Sequence, residues 1–543
     1  MRIHAQASRQ RGAVLLVVLV FSIMATLLVV TNLKDNLVQE RLAGNFQKQL
    51  NARYTAEQGM YESYNRLKAK LKTHPKSTLE NLKDALPGRA NGKVRGSHFE
   101  TRNHRIPAPG LLMLASRGHH LEGAAGLNVA FALQAIPGNE IYEDAVVACD
   151  GISLKGSGTI DSYDSGKGAY GDNNKGRNAN VGTISANADV ILDGHSPIEG
   201  NVRATGDVSL KGSSPVSGNV HASGDVIISS GSGLRVDGNI RNGGDFSLNG
   251  GIVSGSVHTN GNALMDWSTE ISSGELLYGG QGTFRDDEDK VFEGADHRVN
   301  PNVPEVATSS CDPINMPEVM AKLAGTFNDG PLAVAANDVL DLTPLGSSHE
   351  NTGNGKGKGK GGGPIPPMTP RKADVLGDKA PVYRFDSLNM SSNGIINISG
   401  GDVTLIVDGD FSMAGDNKLN IAEDSSLTII VGGKVSLGAG AKVTAQKEGI
   451  RDNGKIAMSL YSAYDGADGI TISGATPIYA AMYAPLTDVK LSGSGALYGA
   501  VRGKTISASG GSGIHYDEAL GLADLGEDHG KPPLLALRDW LWL

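Results

Sequence analysis

Two short motifs recur in step through the middle of the chain. One reads Gly200-Asn201-Val202, Gly218-Asn219-Val220, Gly238-Asn239-Ile240 and Gly255-Ser256-Val257, spaced by 18, 20 and 17 residues. The other, in phase with it, reads Ala188-Asp189-Val190, Gly206-Asp207-Val208, Gly224-Asp225-Val226 and Gly244-Asp245-Phe246. Within one unit apolar or small residues alternate with polar ones, as in Val216, Val220, Ala222, Val226 and Ile228. Alternation inside a repeat of about 18 residues is what one coil of a β-solenoid requires, with inward side chains stacking on the coils above and below. So short a unit cannot bury a core alone, and stacking becomes obligatory.

Composition agrees with narrow, tightly turning β structure: the chain of 543 residues holds 74 glycines but only 5% aromatics. A net charge of -9 argues against nucleic acid as the primary partner, because phosphate binding needs a positive surface. The recurring aspartates sit at one place in every coil, which fits turn chemistry, whereas a catalytic site needs different groups in different roles. No Ser/His/Asp or Cys/His arrangement and no phosphate-cradling loop stands out, so the expectation is no enzyme and no cofactor. The oxygen-rich stretches Asp161-Ser162-Tyr163-Asp164-Ser165 and Gly171-Asp172-Asn173-Asn174 lack the spacing of a calcium loop, and read as turns without a metal.

One row invites a ligand. Arg203, His221, Arg241 and His258 each follow the Gly-Asn-Val motif, and stacking would bring them into an outward column about 4.8 Å apart. Such a column could hold an anionic glycan or another subunit, against the simpler reading that outward positions accept any polar residue.

The N-terminus is different in kind. Ala13 to Val30 is an uncharged, mostly apolar run preceded by Arg2, Arg9 and Arg11, long enough to span a bilayer with the N-terminus in the cytoplasm. The first proline is Pro75, and Phe46, Leu50, Tyr54, Tyr61, Tyr64, Leu67 and Leu71 continue an apolar stripe. A helix over 13–72 would be about 90 Å long. The only cysteines, Cys149 and Cys311, lie beyond the membrane segment, and a sparse pair in an exported chain fits one disulfide.

The leader Gln10-Arg11-Gly12 followed at once by an apolar helix resembles a type IV prepilin, and Gln39-Glu40-Arg41-Leu42-Ala43-Gly44-Asn45 with Ala56-Glu57 is similar to the pattern of PilX-type minor pilins. The resemblance covers roughly residues 9 to 70. It implies cleavage by prepilin peptidase between Gly12 and Ala13, methylation of the new terminus, storage in the bacterial inner membrane, and assembly with other minor pilins, the major pilin and a tip adhesin. It also implies a departure: Val17 stands where most pilins carry Glu. Residues 145–520 resemble, more loosely, the bactofilin-like β-helical domain found behind such helices.

The fold class expected is therefore α+β, a long N-terminal pilin helix with a small antiparallel sheet, followed by a large β-solenoid. The domains expected are a leader at 1–12, the helix at 13–72, a meander sheet at 73–140, coils at 145–285, and a loop or linker at 286–385 containing a Gly/Lys/Pro segment. Coils then continue over 386–520, and a tail at 521–543 caps the last coil. The function expected is a minor-pilin-like structural protein that primes or caps the pilus and exposes its β-helical head for adhesion or partner contact. The alternatives are a membrane-anchored bactofilin-like scaffold and a surface carbohydrate-active enzyme.

Overall fold

The computed structural model describes residues 11–542 apart from 74–78, 95, 109–110, 135–138, 230–233, 268, 286–295, 352–364, 476 and 526–533. The chain forms two compact units, Met1–Ile136 with Lys531–Leu543, and Pro137–Gly530.

In the first unit, helix α1 (Arg11–Thr73) and the short α2 (Leu79–Asp84) precede four antiparallel strands, β1 (Arg89–Val94), β2 (Ser97–Ala108), β3 (Leu111–His120) and β4 (Gly123–Gln134). Ala52, Ala56, Met60, Leu67 and Leu71 form the buried face of α1, and Leu112, Leu114, Leu127, Val129 and Phe131 meet it from the sheet. The helix comes close enough that a Cβ on Gly118 would lie 2.0 Å from the Ala52 carbonyl oxygen, so only glycine fits there. This buried face differs from the expected stripe, because Phe46, Tyr54 and Tyr61 are exposed and alanine wins the seat where backbones approach. The span 73–140, expected as a meander sheet, holds its four strands and in addition the short α2 ahead of them.

A fifth strand, Leu534–Trp542, pairs antiparallel with β4 from Leu127↔Trp542 to Gln134↔Leu534. The tail therefore completes the sheet of the first unit and does not cap a coil, as 521–543 was expected to do. The reason lies in the second unit, where the last coil in sequence is not at an end of the stack.

That unit is a parallel β-solenoid with three stacked walls. One runs through Val181, Val202, Val220, Ile240, Val257 and Leu276, a second through Val190, Val208, Val226, Phe246 and Ala263, and a third through Ile160, Ile198, Val216, Val236, Val253 and Ile271. All are buried. At the corners the repeating motifs show their purpose. The Oδ1 of Asp189 accepts from the Asp207 amide, Asp207 from Asp225, and Asp225 from Asp245, at 2.7–2.8 Å. Asn201, Asn219 and Asn239 form a second ladder in the same way, accepting from the amides of Asn219, Asn239 and Ser256. Each side chain thus satisfies a corner amide that the strand ladder leaves over.

The first coil, Val146–Tyr163, lies inside the stack. On one side Val146 and Ile152 pair with Val181 and Val190; on the other they pair with Val501 and Ile506, while Ile160 pairs with Ile514. From this seam the chain winds out to the coil at Leu276–Phe284, returns along the stack as a strap, and starts again at the far end. Coils resume at Leu332, earlier than the expected 386, because Leu332, Val339 and Val382 pair with Leu388, Ile395 and Thr404. They then descend until the closing strand meets the first. The chain enters and leaves the solenoid side by side: Asn139 Nδ2 donates to the carbonyls of Leu520 and Ala523.

The strap is bonded at each step. Val303 pairs with Asn260, the Val306 amide donates to Ser223, and the Ser309 amide to the Ile184 carbonyl. Cys311 is disulfide-bonded to Cys149 of the first coil, with Cα atoms 5.5 Å apart. Arg502 donates to the carbonyls of Ser310 and Cys311, and Tyr483 Oη to Asp312 Oδ1 at 2.7 Å. Helix α3 (Met316–Leu323) follows, burying Met316 and Leu323, and Arg384 closes its C-terminus by donating to the carbonyls of Leu323, Ala324 and Thr326.

Two outcomes follow. Asp207→Ala should cost about 1 kcal/mol by leaving the Asp225 amide without its acceptor, and Asp207→Asn, which keeps Oδ1, should recover most of it in denaturant titrations. Reducing the disulfide, which closes a loop of 162 residues, should lower stability by up to about 5 kcal/mol from loop-closure entropy, seen as a lower denaturation midpoint under reducing conditions.

Candidate functional site

The most exposed apolar feature is α1 itself. Its Val14–Leu71 portion contains a window of mean hydropathy 2.9 with none of it buried. Gly12 and Ala13 fall in the first turn of α1, and Val17 is half-exposed. Exposure does not stop where the apolar run ends: Leu33, Leu37, Leu42, Phe46, Tyr54 and Tyr61 remain exposed on the same helix. Among the described residues the sheet covers only the Ala52–Leu71 face, and the rest of the helix has no cover.

The four basic residues of the repeat do stand in one register, with Arg203 beside His221, His221 beside Arg241, and Arg241 beside His258. Three of the four are already engaged. Arg203 is paired with Asp144 at 2.9 Å, His221 Nε2 meets the Pro304 carbonyl of the strap at 2.8 Å, and His258 Nε2 lies 3.1 Å from Glu275. The groove beside Arg203 and His221 is lined by Glu140, Glu143, Asp144 and Glu305, which opposes an anionic ligand. Local spacing could place the column, but not the strap that returns over it from the stack's far side.

A second cluster lies at the seam, where loop 164–178 folds over the junction. Asp161 is buried; one of its oxygens is 2.5 Å from His515 Nδ1 and the other accepts from Tyr170 Oη at 2.6 Å. Tyr170 and Tyr498 pack against the His515 ring at 4.0 and 4.9 Å between centroids. Beneath them Tyr163 Oη donates to Glu448 at 2.8 Å, and Tyr479 Oη to Asp517 at 3.1 Å. Burial pushes Tyr163 and Tyr170 above the ordinary phenol value. It also raises the carboxyls of Glu448 and Asp517, and their mutual repulsion adds to the effect at Glu448. Asp164 caps a 3-10 turn through the Gly166 amide and Asp172 pairs with Lys175, so these oxygens serve turns. The cluster spends its hydrogen-bonding capacity on itself and fits a structural closure of the seam.

Sequence reading reached Asp161, Tyr163 and Asp164 but missed Glu448, Tyr479, Tyr498, His515 and Asp517. One signal was present: Gly156 to Ile160 and Gly510 to Ile514 pair without a gap, each a glycine- and serine-rich corner ending in isoleucine.

The molecule thus combines a helix-and-sheet unit with an exposed apolar helix and an inserted β-solenoid. Residues 369–522, the coils on the descending side, match the model of a family described as a domain of unknown function, DUF7305. Among solved structures the chain is similar to the crystal structure of the competence-associated pilin ComZ from Thermus thermophilus, at 11% identity over 91% of this chain and 97% of that one. The TM-score is 0.23, below that of chains sharing a fold. No curated protein matches the chain.

The seam carboxyls set a pH dependence. Because the folded state raises them, their favourable contribution is full below the usual carboxylate range and is lost as pH rises through their raised values. Replacing Glu448 by Gln should therefore remove a penalty that grows with pH. Urea titrations across about pH 4 to 8 should show the variant gaining on the wild type as pH rises.

Proposed function

We propose that the chain is a minor-pilin-like structural subunit of a type IV pilus assembly, with α1 as its assembly helix and the solenoid as its exposed head. The observation that carries this reading is the length of the uncovered stripe. A bilayer covers about 20 helical residues, yet apolar exposure continues from Val14 to Tyr61. A simple anchor has no use for the surplus. Packing among the helices of other subunits would cover it once the membrane no longer does.

In this reading the leader is cut between Gly12 and Ala13 by prepilin peptidase, the helix waits in the inner membrane with its N-terminus cytoplasmic, and other pilins receive it. The freed amine of Ala13 lies at the end of an apolar helix, where an unpaired charge loses several kcal/mol of solvation unless a carboxylate meets it. Val17 supplies no carboxylate to a neighbour. The subunit can present its amine to an acid below, but cannot receive one from a subunit added above. That favours the fibre tip or a small priming complex, with few copies per fibre. The reading assigns no catalysis, because the repeating aspartates spend their oxygens on corner amides.

Mass spectrometry of the mature protein should find an N-terminus at Ala13. Quantitative immunolabelling should find it at fibre ends or bases only, and Val17→Glu should let it enter the shaft or stall extraction. An intact Met1 terminus, or unmodified protein along whole fibres at the stoichiometry of the major subunit, would sink the reading.

A further inference from the structure

Charge is divided unevenly between the two units. Residues 1–136 and 531–543 carry 21 Lys and Arg against 9 Asp and Glu, whereas 137–530 carry 28 against 49. Part of the positive surplus gathers on one surface. The sheet of the first unit turns Phe99, Leu112, Leu114 and Gly118 towards α1, so alternation sends their strand neighbours to the opposite face. There the register sets Arg89 beside Arg102, and Lys93, His98 and His119 in one row across β1, β2 and β3, with Arg117 in the row between. Glu100, the acid of these rows, is buried and already held by Arg89 and Arg102. Lys93 and Arg117 are exposed, and neither has an acidic partner among the described residues. The His98 and His119 rings stack at 4.8 Å between centroids. Burial, with His98, Arg117 and Arg102 adding to it, holds the His119 imidazole below its ordinary value. The face is short of negative charge.

The solenoid carries a surface of the opposite sign at the same interval. Asp189, Asp207 and Asp225 each spend one oxygen on a corner amide, and their second oxygens have no partner among the described residues. They rise one per coil, so the three carboxylates stand about 4.8 Å apart. Neighbouring strands of a sheet keep that same spacing. One carboxylate of the ladder can therefore meet each of β1, β2 and β3, and each of those strands presents a cation: Lys93, Arg102 and Arg117.

We infer that the outer face of β1–β3 docks the Asp189–Asp207–Asp225 ladder of a second copy of this chain. Two other anionic partners fit less well. A nucleic acid would be repelled by the negative surplus of residues 137–530. Lipid headgroups are out of range, because the sheet meets α1 from Ala52 and the apolar run ends at Val30. That stretch of helix is about 33 Å long, against a screening length of about 8 Å. Each copy offers one face and one ladder, so the contact is heterologous. It requires neither N-terminal processing nor a fibre, and its failure would leave the pilus reading standing.

Sedimentation velocity of the full chain in a neutral detergent tests this. The chain should associate in about 50 mM salt, and in about 500 mM its Kd should rise at least about tenfold. Lys93→Gln with Arg117→Gln removes the free charges of the face. Asp189→Asn with Asp207→Asn and Asp225→Asn removes those of the ladder, while each Asn keeps the oxygen that serves the corner amide. Either multiple variant alone should stay monomeric without a loss of melting temperature. An equimolar mixture of the two should recover dimers, since the first still offers a ladder and the second a face. Absence of salt-dependent association, association that survives in either variant alone, or a mixture no better than its components would overturn the assignment. Tighter binding of a single-stranded oligonucleotide, or of vesicles containing phosphatidylglycerol, than of a second copy would overturn it as well, and would give the face to nucleic acid or lipid.

Discussion

Every coil of a parallel solenoid depends on two neighbours for its backbone hydrogen bonds, and the rest of this structure follows from that dependence. Over 181–284 the strands are only two to six residues long and leave many amides at corners, and the aspartate and asparagine ladders take them up one coil at a time. The dependence also explains the seam. The first coil has an open edge until residues 496–517 arrive, so the two halves of the solenoid are each incomplete and complete one another. The strap that joins their far ends is then a necessity of topology, and the bond between Cys149 and Cys311 fastens it at the junction.

What could be read in advance has a physical boundary. The ladder in 188–262 was legible because one side chain must repeat at one place for its oxygen to reach the next amide, which writes Asn, Asp and Gly into fixed spacing. The descending coils were harder. Their register partners advance from Val435 to Ile470, then to Val489 and Ile506, so no single period survives. The first of them, at Leu332, sits between the strap and a glycine- and lysine-rich stretch, and read as linker. A partnership that spans the chain, such as Leu127 with Trp542, leaves no local trace. The seam cluster was half visible for the same reason: Asp161 and Tyr163 stood out on one strand, while His515 and Asp517 on its partner strand, and Glu448, Tyr479 and Tyr498 beside them, come from far along the chain.

The helix shows a related contrast between pattern and seat. Large apolar residues at helical spacing marked a stripe, yet the face against the sheet is built on Ala52 and Ala56 opposite Gly118, where close backbone approach excludes bulk. Phe46, Tyr54 and Tyr61 are left outward. One helix thus carries two apolar faces, one used inside the fold and one uncovered, and only their different sizes tell them apart.

The side-by-side passage of the chain at Asn139 and Leu520 makes the solenoid an insertion between β4 and the strand that pairs with it. The gap that the insertion must bridge is set by those two residues and not by the number of coils. Coils can therefore be gained or lost over evolution, on either side of the seam, without moving the ends that the helix-and-sheet unit must hold. A solenoid inserted this way can change its number of coils and its surface while its own two ends stay side by side.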